Sequence, residues 1–111
     1  QALLLLNDPV FVEAARMLAA RSLTSGGDDL EKLHELWRRV LVRDASQEEL
    51  ALVHGLLVRQ RERFAKTPDG ARQLLAVGAA KHDAGLDACE LAAWTVVAQA
   101  VLNLDEAVTK R

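Results

Sequence analysis

Ala88-Cys89-Glu90-Leu91-Ala92-Ala93-Trp94-Thr95-Val96-Val97-Ala98-Gln99-Ala100-Val101-Leu102-Asn103 is the stretch on which the fold turns. Leu91, Trp94, Ala98, Val101 and Leu102 recur at helical spacing and form one apolar stripe. Val96, Val97 and Ala100 spread apolar surface over most of the remaining circumference. A helix that is apolar nearly all round is either buried centrally or covered by a partner. We expect this helix, over 88–103, at the centre of the molecule. Continued further, it would place Asp105 on the Trp94 stripe, where a buried carboxylate is costly. Asn103 is therefore expected to end the helix in a left-handed conformation, with Leu104 packing back over the last turn.

The rest of the chain offers this helix helical partners. Leu and Ala supply 39 of the 111 residues, while Ile and Tyr are absent; strong helix formers dominate and strand formers are scarce. Asn7-Asp8-Pro9 reads as a cap followed by a proline at a position where its missing N–H costs nothing. Ser46 and Glu49 have capping-box spacing, and Asp28 with Glu31 and Asp87 with Glu90 are close analogues. Thr67-Pro68-Asp69 again pairs a cap with a first-turn proline. Ser25-Gly26-Gly27 breaks the first helix, and Gly78 and Gly85 bracket a loop. These signals give helices at 9–23, 29–43, 47–65, 68–77 and 88–103. Leu30, Leu33, Trp37, Val40 and Leu41 form the apolar stripe of the second helix, and Leu50, Val53, Leu57 and Phe64 that of the third. The expected architecture is a single all-α domain, a compact bundle of about five helices with short loops.

Composition excludes several classes. Fourteen basic against 16 acidic side chains give a net charge of −2, without the basic excess of a dedicated nucleic-acid binder. Cys89 is the single cysteine, so no disulfide scaffold exists. No run reaches the roughly 18 apolar residues of a membrane span. Gln1 leads directly into Ala2-Leu3-Leu4-Leu5-Leu6, a run that needs a partner surface. The chain is accordingly expected to be the C-terminal fragment of a longer protein, continuing upstream.

The candidate chemistry is sparse. His34 and His54 flank helix stripes, and His82 precedes Asp83 in a loop; none has the i,i+4 partner of a helical zinc site. His82, Asp83, Asp87 and Glu90 could gather into a weak metal site, but a polar loop ending in a helix cap accounts for the same residues. Cys89 lies in the first turn of the fifth helix, at the positive end of the helix dipole; the position suits a half-buried structural cysteine better than a nucleophile. Gly26-Gly27 lacks the lysine of a phosphate loop. No catalytic, cofactor-binding or metal-binding residue is assigned. Arg38, Arg39, Arg43, Arg59, Arg61 and Arg63 cluster on the second and third helices, joined by a short turn as in a helix-turn-helix. Glu31, Glu35, Glu48, Glu49 and Glu62 interleave with them at pairing distance, which describes a solvated surface of mixed charge better than a nucleic-acid site.

Three stretches together resemble a known family. They are Gln1 to Pro9, then Leu36-Trp37-Arg38-Arg39-Val40-Leu41 leading to Ser46-Gln47-Glu48-Glu49-Leu50, and Glu90 through Trp94 to Leu102-Asn103-Leu104-Asp105-Glu106. In this order they resemble the C-terminal part of a large planctomycete family of unknown function, whose members often carry a planctomycete-type cytochrome c domain upstream. Asp44-Ala45 departs from the family's proline-rich turn. The haem motif Cys-x-x-Cys-His is absent from this chain, so no haem is carried over. The resemblance implies an exported, periplasmic or secreted protein.

The functional expectation is a non-catalytic helical module, packing against upstream domains of its parent or another protein. The alternatives are an accessory domain of a redox or hydrolytic enzyme with upstream catalytic residues, or nucleic-acid binding through the arginine-rich helix pair.

Overall fold

A helix start leaves backbone N–H groups without partners, and short oxygen-bearing side chains satisfy them. The computed structural model describes residues 8–77 and 85–109, and in it five helices follow such signals: α1 Pro9–Leu23, α2 Asp29–Leu41, α3 Gln47–Lys66, α4 Pro68–Leu75 and α5 Ala88–Thr109. No strand occurs among the described residues. The Asp8 carboxylate accepts hydrogen bonds from the N–H groups of Val10 (2.9 Å) and Phe11 (3.3 Å). Both capping boxes are complete, Asp28 with Glu31 and Ser46 with Glu49. Asp87 accepts from the Glu90 N–H at 2.8 Å.

Several boundaries differ from expectation, each for a physical reason. Helix α2 stops at Leu41 because Val42 turns left-handed, at φ 57. Thr67 does not cap α4 with its side chain; its hydroxyl donates to the Arg63 carbonyl at 2.9 Å and closes α3 instead. Helix α4 ends at Leu75, two residues early. Helix α5 runs through Asn103 to Thr109. Leu104 is 44 % exposed and does not fold back. Asp105 is only half-buried, so the desolvation cost that was to end the helix does not arise in full. Asn7 and the leucine run before it lie outside the described residues.

Helix α5 is central, as its composition requires: it packs against α1, α2, α3 and α4. Leu91, Ala92, Ala93, Trp94, Val97, Ala98 and Val101 are all at most 1 % exposed. Alanines on both helices, Ala15 and Ala19 on α1 with Ala92, Ala93 and Ala98 on α5, are fully buried in one core and let backbones approach closely. Helix α2 contributes Leu33, Leu36 and Trp37. Leu36, outside the expected stripe, is fully buried, whereas Leu30 is 46 % exposed. Val53, Leu57 and Phe64 come from α3, and Ala71 and Leu75 from α4.

One buried charge belongs to this framework. Arg16 on α1 is 2 % exposed, and its Nη1 donates to the carbonyls of Leu75 and Val77 at 2.9 and 3.0 Å. A cation here faces the negative end of the α4 dipole and satisfies carbonyls that the helix end leaves open.

Candidate functional site

Two of the polar residues singled out in the sequence, Arg61 and Glu90, meet in one cluster, with Asp29 as a third member. Arg61 projects from α3 towards α2 and α5. Its Nη1 and Nη2 donate to the two carboxylate oxygens of Asp29 at 2.6 and 3.1 Å. Its Nε donates to both oxygens of Glu90 at 3.0 Å. Glu90 also accepts from the indole N–H of Trp94 at 3.0 Å. Two edges of a planar guanidinium thus clamp two carboxylates from different helices, a geometry lysine cannot reproduce. The Arg61 hydrogen bonds hold the Asp29 carboxyl below the usual carboxylate range against the opposing effect of burial. Asp29 and Glu90 in turn raise the Arg61 pKa further above its ordinary value.

This clamp redistributes the expected site residues. Glu90 was expected to complete a capping box with Asp87; its carboxylate is bound instead to Arg61 and Trp94. Asp87 serves as the cap of α5. His82 and Asp83 lie outside the described residues. Among the described residues, no three His, Cys, Asp or Glu side chains gather closely enough to hold a metal ion. The Cys89 Sγ donates to the Phe64 carbonyl at 3.4 Å, tying α5 to α3 from a partly buried position. The His34 Nε2 accepts from the Ala45 N–H at 3.3 Å, bracing the turn between α2 and α3.

Of the remaining arginines of the suspected nucleic-acid surface, Arg38, Arg39, Arg43 and Arg63 are paired with carboxylates or lie over rings. Arg39 meets Glu35 at 2.6 Å and Arg38 meets Asp44 at 3.2 Å. Arg43 grips both oxygens of Glu49 at 2.8 and 2.9 Å and lies over the Trp37 ring, 5.3 Å from its centroid. The Arg43 hydrogen bonds, followed by the Ser46 backbone N–H, hold the Glu49 carboxyl down to about 2. Arg63 lies over the Phe64 ring at 4.8 Å. An open groove of about 560 Å³ runs among Glu35, Arg38, Arg39, Val42, Arg43 and Asp44. With both signs of charge on its walls, it offers a phosphate backbone no continuous basic track.

The unmatched surface lies elsewhere, on α1. Phe11, Val12, Ala15, Arg16, Ala19 and Ser22 face the core. The opposite side carries Val10, Ala14 and Met17 at i, i+4 and i+7, so α1 is apolar on both faces. Val10 is 76 % and Met17 63 % exposed. Ala14, Met17, Leu18 and Arg21 surround a hollow of about 350 Å³. The sequence reading put the fifth helix at the centre, where the structure has it, and did not pick out the outward face of the first helix. The i, i+4, i+7 spacing of Val10, Ala14 and Met17 was the signal that could have found it. No helix among the described residues is long and apolar enough to cross a membrane.

Nothing among curated proteins or solved structures matches the chain. A family model does: PSD1, the protein of unknown function DUF1553, matches residues 1–57. That span takes in α1, α2, both complete capping boxes and the first half of α3, over half of the chain's 111 residues. The chain belongs to the PSD1 (DUF1553) family of proteins of unknown function.

Proposed function

We propose that this chain is a non-catalytic helical module of a larger exported protein, docking another protein surface through the outward face of α1. The observation that carries the reading is the row Val10, Ala14 and Met17, apolar and solvent-facing on a helix whose other side is already consumed by the core. Large contiguous apolar patches mark interaction sites, and this row extends apolar surface along two turns of α1. The polar clusters suit the same reading. Arg61, Asp29, Glu90, Trp94 and Cys89 all hold helices together, which gives each of them a structural task. The family resemblance supplies the setting of a larger, exported parent.

The test is site-directed photo-crosslinking. A photoreactive residue in place of Met17 is expected to give a discrete protein adduct, lost when Val10 is changed to Glu. The same group in place of Glu48, exposed on α3, is expected to give none. Equal labelling from both positions, or no adduct from either, would sink the reading.

A further inference from the structure

We propose that the surface docked by α1 is the α1 face of a second copy of this chain, packed antiparallel about Met17. The proposal rests on the protein-docking reading above and names its partner.

Two observations carry it. First, Ala14, Met17, Leu18 and Arg21 stand at i, i+3, i+4 and i+7 and enclose one hollow. That is the four-residue hole into which a facing helix inserts a side chain in knobs-into-holes packing. Ala14 keeps the hole open on one side. Met17, unbranched and adaptable, is the knob this same face presents at its centre. Second, the charges beside the seam are self-complementary in one direction only. Glu13 stands four residues before Met17 and Arg21 four residues after it. An antiparallel pairing about Met17 brings Glu13 of each copy level with Arg21 of the other, and the long Arg21 side chain reaches across the seam to make two ion pairs related by the two-fold axis. A parallel pairing sets Glu13 against Glu13 and Arg21 against Arg21. Glu13 already holds an interaction within its own chain, and a carboxylate has acceptor positions for a second donor. Such isologous pairing is the commonest route to a soluble homodimer. A single helix pair is a small contact, so the association is weak and reversible.

The experiment is sedimentation velocity on the chain over concentrations up to about 1 mM, where weak contacts of this size become populated. The wild type is expected to shift from monomer towards dimer. Met17→Glu should hold it monomeric with an unchanged helical circular dichroism spectrum, since the new carboxylate lies four residues before Arg21 and suits the helix. Glu13→Arg or Arg21→Glu alone should weaken the dimer at least threefold, and the double exchange should restore it. Leu52→Glu, on an exposed part of α3, should change nothing. A wild type that stays monomeric throughout overturns the proposal, as does a double exchange that fails to restore association or a loss of dimer in Leu52→Glu. A monomer that still gives a Met17 adduct with a different protein overturns the second copy alone. A monomer with no adduct overturns the docking reading as well.

Discussion

Arg16 on α1 donates to the carbonyl oxygen of Leu75, the last residue of α4, across 2.9 Å of space and 59 positions of sequence. The side chain is buried, and a second bond to Val77 completes its hold on that helix end. Arg16→Met keeps much of the apolar stem but strands the two carbonyls. Losing charge-assisted bonds to buried acceptors costs about 2–4 kcal/mol. Urea denaturation should show the midpoint falling with the m-value unchanged.

Arg61 makes a different prediction, because it separates two like charges. Removing it in Arg61→Met leaves Asp29 and Glu90 without the cation that bridges them. All three groups are about one-third exposed, so the cost sits between that of a surface pair and a buried one, about 2 kcal/mol at neutral pH. Arg61→Lys should recover only part of it. The pH dependence has a definite sign. Asp29 is lowered in the folded state, so its share of stability is full above its unfolded value near 3.9 and drains away as pH falls through the folded value. The gap between wild type and Arg61→Met should therefore narrow below about pH 4.

Glu49 offers a direct spectroscopic check. Its carboxyl is held down to about 2, chiefly by Arg43 and then by the Ser46 backbone. Carbon-detected NMR titration should find this midpoint in the wild type. In Arg43→Gln it should climb towards the ordinary value of about 4.3 yet stop short, since the Ser46 N–H still donates at 2.9 Å. An unchanged midpoint would dismiss the Arg43 contact as irrelevant in solution.

Two left-handed positions predict opposite outcomes. Gly27 sits at φ +101, and a Cβ there would lie 2.6 Å from the Glu31 Oε1 that closes the capping box. Gly27→Ala should lower stability by about 1–2 kcal/mol, through both backbone strain and a disturbed cap. Val42, at φ 57 and 85 % exposed, is a branched residue in a region that disfavours it. Val42→Gly should raise stability by about 1 kcal/mol, since it relieves that strain and uncovers almost no apolar surface. Thermal unfolding of the two variants side by side reads both signs.

What could be read in the sequence was whatever a helix writes into its own neighbourhood. Asp28 with Glu31 and Ser46 with Glu49 act across three residues, and both boxes form. The apolar circumference of 88–103 likewise announced a buried helix. The partnerships of Arg61 and Arg16 join positions 29, 61 and 90, and 16, 75 and 77, and no local pattern encodes them. Thr67 shows the same limit at short range. Its hydroxyl could serve the helix before it or the one after it, and packing chose the former. Asn103 was misread because burial was assigned to Asp105 by periodicity alone, whereas α5 has begun to leave the core there. The outward row on α1 was visible as spacing, yet nothing in the spacing says which side of a two-faced apolar helix the core will take.

The position of α5 has a consequence for how the chain comes into being. Chains emerge from the ribosome in order, N-terminus first, and the element that all four other helices pack against is the last of the five. Until Trp94 and its neighbours are clear of the exit tunnel, α1 to α4 have no common wall to close upon. Closure of this module thus waits for its fifth helix, which Arg61 with Glu90, Cys89 with Phe64 and the shared core then couple to the earlier ones.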